Sequence, residues 1–196
     1  MNNSKTNYIA KIGVLSALAA LIMLFEFPLW FAPSFYELDL SDICALVGSF
    51  ALGPLAGVLI QLIKNILNIF LTGTPTLTVG EISNFIIGCS FVLPASIIYK
   101  YNKTRKGAII GMIVGTVILA SAGSLVNLYI LIPTYVKVAN LPLEQIVQMG
   151  NAVNKNITSL NTLILYAVIP FNLLKGVIIS FIASLIYKKI SKLLKK

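Results

Sequence analysis

Apolar residues fall in long blocks separated by short polar clusters, and the blocks have the length of membrane helices, which take about 20 apolar residues each. The first block predicts a helix over about 8–29, with Pro28 and Pro33 helping to end it. A loop over 31–42 follows, carrying Glu37, Asp39 and Asp42, and Ser41 and Asp42 have suitable side chains to cap the next helix. The block over 43–71 is too long for one span. Gly53-Pro54 interrupts it, because proline crowds and unbonds the helix before it, so two helices are predicted over about 43–52 and 54–71. Further helices are predicted over about 80–99, 107–132 (ending at Pro133) and 161–187, with a polar, partly helical connection over 134–160.

Composition agrees with this pattern. Of the 196 residues, 58% are hydrophobic and only 11% charged, against about 25% charged in a soluble domain. So little charge cannot cover a protein in water, so the chain is an all-α integral membrane protein. Its length suits one bundle, a single domain over 1–196. The apolar run from Ile12 to Phe25 leads into Glu26-Phe-Pro28 rather than a small-residue cleavage site, so an uncleaved first helix is expected.

Charge placement sets the count and the orientation. The net charge is +9, but the basic residues gather at helix ends instead of along one face, which argues against a nucleic-acid partner. Six spans put Lys5, Lys11, the 100–106 cluster and the tail from Lys188 to Lys196 on one side, and all 6 acids on the outer half or outer loops. By the positive-inside tendency both termini are then cytoplasmic. Five spans would leave the tail lysines outside. The tail itself reads as an anchor to anionic headgroups of the bilayer.

There is no histidine, and Cys44 and Cys89 lie far apart in apolar runs without CxxC partners. Both cysteines read as small core residues rather than a disulfide or metal pair. No phosphate-binding loop, catalytic constellation or metal-ligand spacing is present, so an enzyme is not expected.

The unusual positions are polar ones within the spans. The stretch 64–84 carries Lys64, Asn65, Asn68, four threonines, Glu81 and Asn84 between two apolar blocks. Lys64 and Asn68 share a helix face, as do Asn172 and Lys175, and Asn127 and Tyr129 lie in the outer half of their helix. Glu81 falls in a first helical turn, where the helix dipole favours a carboxylate. Pro170 favours a bend above Asn172. Charge at bilayer depth is costly and persists mainly where it faces a protein interior or a wet cavity. One reading is interhelical glue, with Glu81 paired to Lys175 or Lys64. The other is a pocket for a neutral, flat, hydrogen-bonding ligand, because amides, one ammonium and one carboxylate near aromatic rings suit such a molecule better than a bare ion. On the first helix, Gly13 with Ala17, and Ser16 with Ala20, form small-xxx-small steps that let another helix approach closely, either within the bundle or on a partner.

Taken in order, Pro33-Ser-Phe35, Leu38-Asp39, Ser41-Asp42, Gly53-Pro54-Leu-Ala-Gly57, Lys64-Asn65, Thr72-Gly73-Thr74, Val79-Gly80-Glu81, Asn84-Phe85, Pro170-Phe-Asn172 and Lys175-Gly176 resemble the riboflavin-specific substrate-binding subunits (S components) of energy-coupling factor (ECF) transporters. The resemblance covers nearly the whole chain. It implies a six-transmembrane-helix S-component fold in a bacterial cell membrane. It also implies high-affinity capture of riboflavin, as transported ligand rather than cofactor, in an outward-facing pocket closed by the loop between the first two helices. By the same resemblance Asn127, Asn172 and Lys175 hydrogen-bond the vitamin, Gly80 and Glu81 border it, and Leu38 with its loop neighbours covers the ring. The face of Gly13, Ala17 and Ala20 then docks on a transmembrane coupling protein that carries two ATPase subunits; the family's Ala-x-x-x-Ala step is Gly13-x-x-x-Ala17 here. Other readings are an S component for a different vitamin, a stand-alone facilitator driven by gradients, and a structural membrane adaptor.

Overall fold

A computed structural model describes residues 3–74 and 78–194. Pro75, Thr76 and Leu77 of the polar stretch, and Lys195 and Lys196 of the basic tail, lie outside the described residues. The described chain forms seven helices and one two-stranded hairpin: α1 Asn3–Met23, β1 Phe27–Pro28, β2 Glu37–Leu38, α2 Asp42–Leu52, α3 Pro54–Thr72, α4 Val79–Tyr101, α5 Arg105–Lys137, α6 Leu143–Val153 and α7 Leu160–Leu194. Five of them, α1, α3, α4, α5 and α7, are long and apolar enough to cross a membrane, while α2 is a shorter apolar helix.

The first helix stops earlier than its apolar run. Met23 ends α1, and Phe27 and Pro28 pair in antiparallel register with Leu38 and Glu37. Proline is tolerated there because a two-residue edge strand asks little of its missing N–H. Gly53 divides α2 from α3 at φ 105°, a left-handed conformation open to glycine, with Pro54 at the start of α3. Most of α2 is buried, so this short helix is core rather than lipid-facing surface.

Pro133, expected to end its helix, does not, and both it and Pro170 follow a wide turn. Asn127–Leu131 and Ile164–Val168 are single π turns, followed by Ile132-Pro133 and Ile169-Pro170. A wider turn relieves the clash between a proline ring and the preceding turn, and such turns recur at functional sites. Accordingly α5 runs past Pro133 to Lys137, and α7 is longer at both ends than its predicted span.

At the far end of the bundle, glycines set the packing. A Cβ at Gly111 would lie 2.5 Å from the carbonyl oxygen of Ala95, and one at Gly115 2.7 Å from that of Phe91. Helix α5 therefore rests directly on the backbone of α4, a small-residue contact that lets helices approach closely. The Lys11 ammonium donates to the carbonyl of Leu194 at 2.6 Å, so the starts of α1 and the end of α7 share this end. The main core lies between α1, α2, α3, α4, α5 and α7. A second cluster sits under the hairpin, around Leu29, Tyr36, Leu38 and Phe171, and a third around Ile146 and Ile157 seats α6.

Candidate functional site

Opposite the shared end, a cavity of ≈ 220 Å³ opens between the hairpin and helices α3, α4, α5 and α7. Gly80, Glu81, Asn127, Asn172 and Lys175 all line it. Leu38 is not a lining residue. It is buried beneath the hairpin, against the cluster that holds Tyr36 and Phe171. Tyr129 is exposed and points away.

The two asparagines come from the two irregular helices. Asn127 opens the π turn of α5, and its amide nitrogen donates to the carbonyl of Gly123 at 2.8 Å. Asn172 follows the π turn of α7, and its amide nitrogen donates to the carbonyl of Val168 at 2.9 Å. Each bond fixes one amide hydrogen and turns the rest of the group toward the cavity. Glycine at 123 makes room, since a Cβ there would lie 2.6 Å from the Asn172 amide nitrogen. The hydroxyl of Tyr36, reaching in from the loop, donates to the Asn127 carbonyl oxygen at 2.6 Å. The rings of Tyr36 and Phe171 lie 5.7 Å apart at a tilt of 40°, and Phe35 stacks behind Tyr36.

Beneath these groups lies a buried, electrically balanced cluster. The Lys64 ammonium, 0% exposed, pairs with Asp42 at 2.5 Å and donates to the Ser41 hydroxyl at 2.6 Å. Lys175 pairs with Asp39 at 2.8 Å and Asp42 at 3.3 Å. Gln61 donates to Asp42 at 2.7 Å, and a Cβ at Gly88 would collide with the Gln61 amide. Ser41 donates both its backbone N–H and its hydroxyl to Asp39. One expectation is thereby corrected: Ser41 makes no side-chain cap on α2, because its hydroxyl is spent in this cluster. Asp39 and Asp42 are both buried as counter-ions of the two lysines. An ammonium has three donors, so Lys175 keeps one beyond these two carboxylates.

Electrostatics differ between the floor and the mouth. Burial alone would raise Asp39, but Lys175 and Lys64 hold its carboxyl well below the usual carboxylate range. Glu26 stands at the mouth. There the protein around it removes part of its hydration, and Glu37 and Asp39 repel its charge, pushing it up to about 7.

Tyr36, Phe171 and Tyr135 escaped the sequence reading, whereas Thr72 and Asn68, which also line the cavity, fall in the polar stretch 64–84 read as a pocket wall. Asn68 shares its helix face with Lys64. Its carbonyl oxygen is buried without a hydrogen-bond partner among the described residues, as are Asn65 Oδ1 and Gln61 Oε1 on the same side of α3. Buried acceptors are rarely left unpaired, so these three oxygens mark α3 as an unusually polar wall beside the cavity. On α1, Gly13 and Ala17 face outward, with open space around Gly13, whereas Ser16 and Ala20 face into the bundle. Among the described residues no group of His, Cys, Asp and Glu is arranged to hold a metal.

Comparison with known proteins bears on what this cavity is for. A family model described as ECF transporter, substrate-specific component, matches residues 7–187. The chain is 34% identical to the riboflavin transporter RibU of Staphylococcus aureus (strain TCH60), covering 100% of this chain and 96% of that protein. It is 29% identical to the riboflavin transporter FmnP of Bacillus subtilis (strain 168), over 95% and 93% of the two chains. Its fold is similar, with a TM-score of 0.74 and 32% identity over 98% of this chain and 99% of the other, to a structure described as the S component of a bacterial ECF transporter.

Proposed function

The chain belongs to the substrate-specific components of ECF transporters, and we propose that it captures riboflavin in the cavity between the hairpin, α3, α4, α5 and α7. The single observation that carries this reading is the convergence of Asn127, Asn172 and Lys175 with the Tyr36 and Phe171 rings on one cavity. Isoalloxazine is flat and offers an imide N–H flanked by carbonyls. Side-chain amides match that edge, because each carries both donor and acceptor. Asn172 and Asn127 serve the imide edge, the third donor of Lys175 reaches a ring carbonyl, and the aromatic rings hold the ring faces. Gly80 borders the ring. Glu81, Thr72 and Asn68 face the hydroxylated tail. Leu38 acts from beneath, by seating the hairpin that covers the ligand.

The cavity faces the outside and both termini face the cytoplasm of a bacterial cell. This orientation is supported by the basic residues at the end away from the cavity, including Lys11, Arg105 and Lys188. Since α1 begins and α7 ends on one side, an even number of crossings is needed, and α2 with the loop before it completes the sixth. Uptake is driven through a transmembrane coupling protein with two ATPase subunits, which meets the outward face of Gly13 and Ala17. The full-length relatives named as riboflavin transporters support the ligand.

The test is a titration of purified protein with riboflavin, followed by flavin fluorescence quenching and by the yellow colour of the complex. Saturable binding is expected, and a protein that neither carries nor takes up riboflavin overturns the reading. Reconstitution in vesicles with and without the ATPase partners separates an energised subunit from a facilitator. Gly13→Leu is expected to leave riboflavin binding intact and abolish coupled uptake.

A further inference from the structure

A second cavity, of ≈ 330 Å³, lies between α5 and α7 at the end away from the first and shares no lining residue with it. Ile109, Ile113 and Val117 of α5 face Val177 and Phe181 of α7 across it. Its hydroxyls turn to the protein: Thr116 donates to the carbonyl of Met112 at 2.8 Å, Ser184 to that of Phe181 at 2.7 Å, and Ser180 lies 3.5 Å from the Thr116 hydroxyl. The groove thus presents a dry wall and offers a polar ligand nothing to bind. It is open along its length to the bilayer, since Ile113, Val117, Val177 and Phe181 are all exposed.

One end of this groove is basic. Arg105 and Lys106 precede Ile109 by one helical turn, and Lys188 follows Ser184 by one turn, so both rows of lining residues end in exposed cations. From Arg105 to Val117 the helix rises about 18 Å, close to one leaflet of a hydrocarbon core about 30 Å thick. We propose that the groove holds one acyl chain of an anionic phospholipid from the basic-side leaflet, with its phosphate on Arg105, Lys106 and Lys188. The helix of a partner protein, about 10 Å wide, is a poor occupant for a channel of this volume, and it would leave the three cations unmatched.

The experiment is native mass spectrometry of the full chain, released from mild detergent containing equal phosphatidylglycerol and phosphatidylcholine of matched chains. One retained phosphatidylglycerol is expected in preference to phosphatidylcholine. R105Q/K106Q/K188Q should lower that retention by roughly tenfold or more, the effect of removing several cations from a charged lipid surface. Ser184→Phe, which fills the groove, should reduce retention of both lipids. Val177→Trp, at an exposed position, serves the same purpose if Ser184→Phe does not fold. Equal retention of the two lipids, undiminished phosphatidylglycerol in the triple variant, or undiminished retention in a folded groove-filled variant overturns the proposal. So does crosslinking of position 113 in membranes to another protein instead of to lipid.

Discussion

Helices α5 and α7 are each built by two sets of rules. In the half near the cavity each contains a π turn, a proline and an inward asparagine. In the far half each is regular, and the α5–α4 contact is so close that Gly111 and Gly115 touch carbonyl oxygens of α4. The near half spends regularity to aim amides into a space, while the far half uses tight backbone contact to hold the helices in register. Function and rigidity are thereby separated along the same helices, and substitutions in the two halves should fail differently.

The buried ion cluster beneath the cavity should give the largest effect. Asp42→Asn leaves the Lys64 ammonium buried without its anion, which costs about 3–5 kcal/mol, so a large fall in thermal unfolding temperature in detergent is expected. Retained stability would mean that Lys64 finds another partner, and that the cluster does not hold the floor of the cavity together. Next, Gly111→Val forces a side chain into the Ala95 carbonyl, and overpacking of this kind costs about 1–3 kcal/mol. Stability should drop while riboflavin affinity, measured per folded molecule, stays unchanged. The converse is expected of Asn172→Ala: affinity weaker by about 1–3 kcal/mol, with little change in melting, because a ligand group is left without its partner. If Asn172→Ala changed stability alone, the separation between the halves would collapse.

The smallest expected effect is on pH. The Glu26 carboxyl is raised from 4.5 to about 7. Its charge therefore opposes the folded, covered cavity above about pH 7, and that opposition fades as pH falls through 7. The unfolding temperature should be modestly higher at pH 6 than at pH 8, and Glu26→Gln should flatten the profile. A slope that survives in Glu26→Gln belongs to another group.

Much of this was legible in the sequence, for physical reasons that differ by residue. The break at Gly53-Pro54 reads directly, because the pair disrupts a helix locally whatever surrounds it. The polar positions at 81, 127, 172 and 175 read directly because charge and amides stand out in apolar blocks. What tertiary structure decides was hidden. Asp39 and Asp42 look like a loop acid and a helix cap until Lys64 and Lys175 are brought beside them. Pro133 reads as a helix stop, since nothing in composition reveals that a wide turn will absorb its ring. Tyr36 is one aromatic among many in its loop, and only the fold brings its hydroxyl to Asn127.

Because Asp39 anchors the loop from α1 to α2 through Lys175, that loop has a root as well as a tip. Pulling the root free would part opposite charges in a dry interior, whereas peeling Phe27–Pro28 from Glu37–Leu38 breaks only a two-residue ladder. If the loop opens for a guest, its tip is the part that yields first, while the Asp39–Lys175 pair holds its root. Lifting the tip alone leaves the four buried charges, two of each sign, matched.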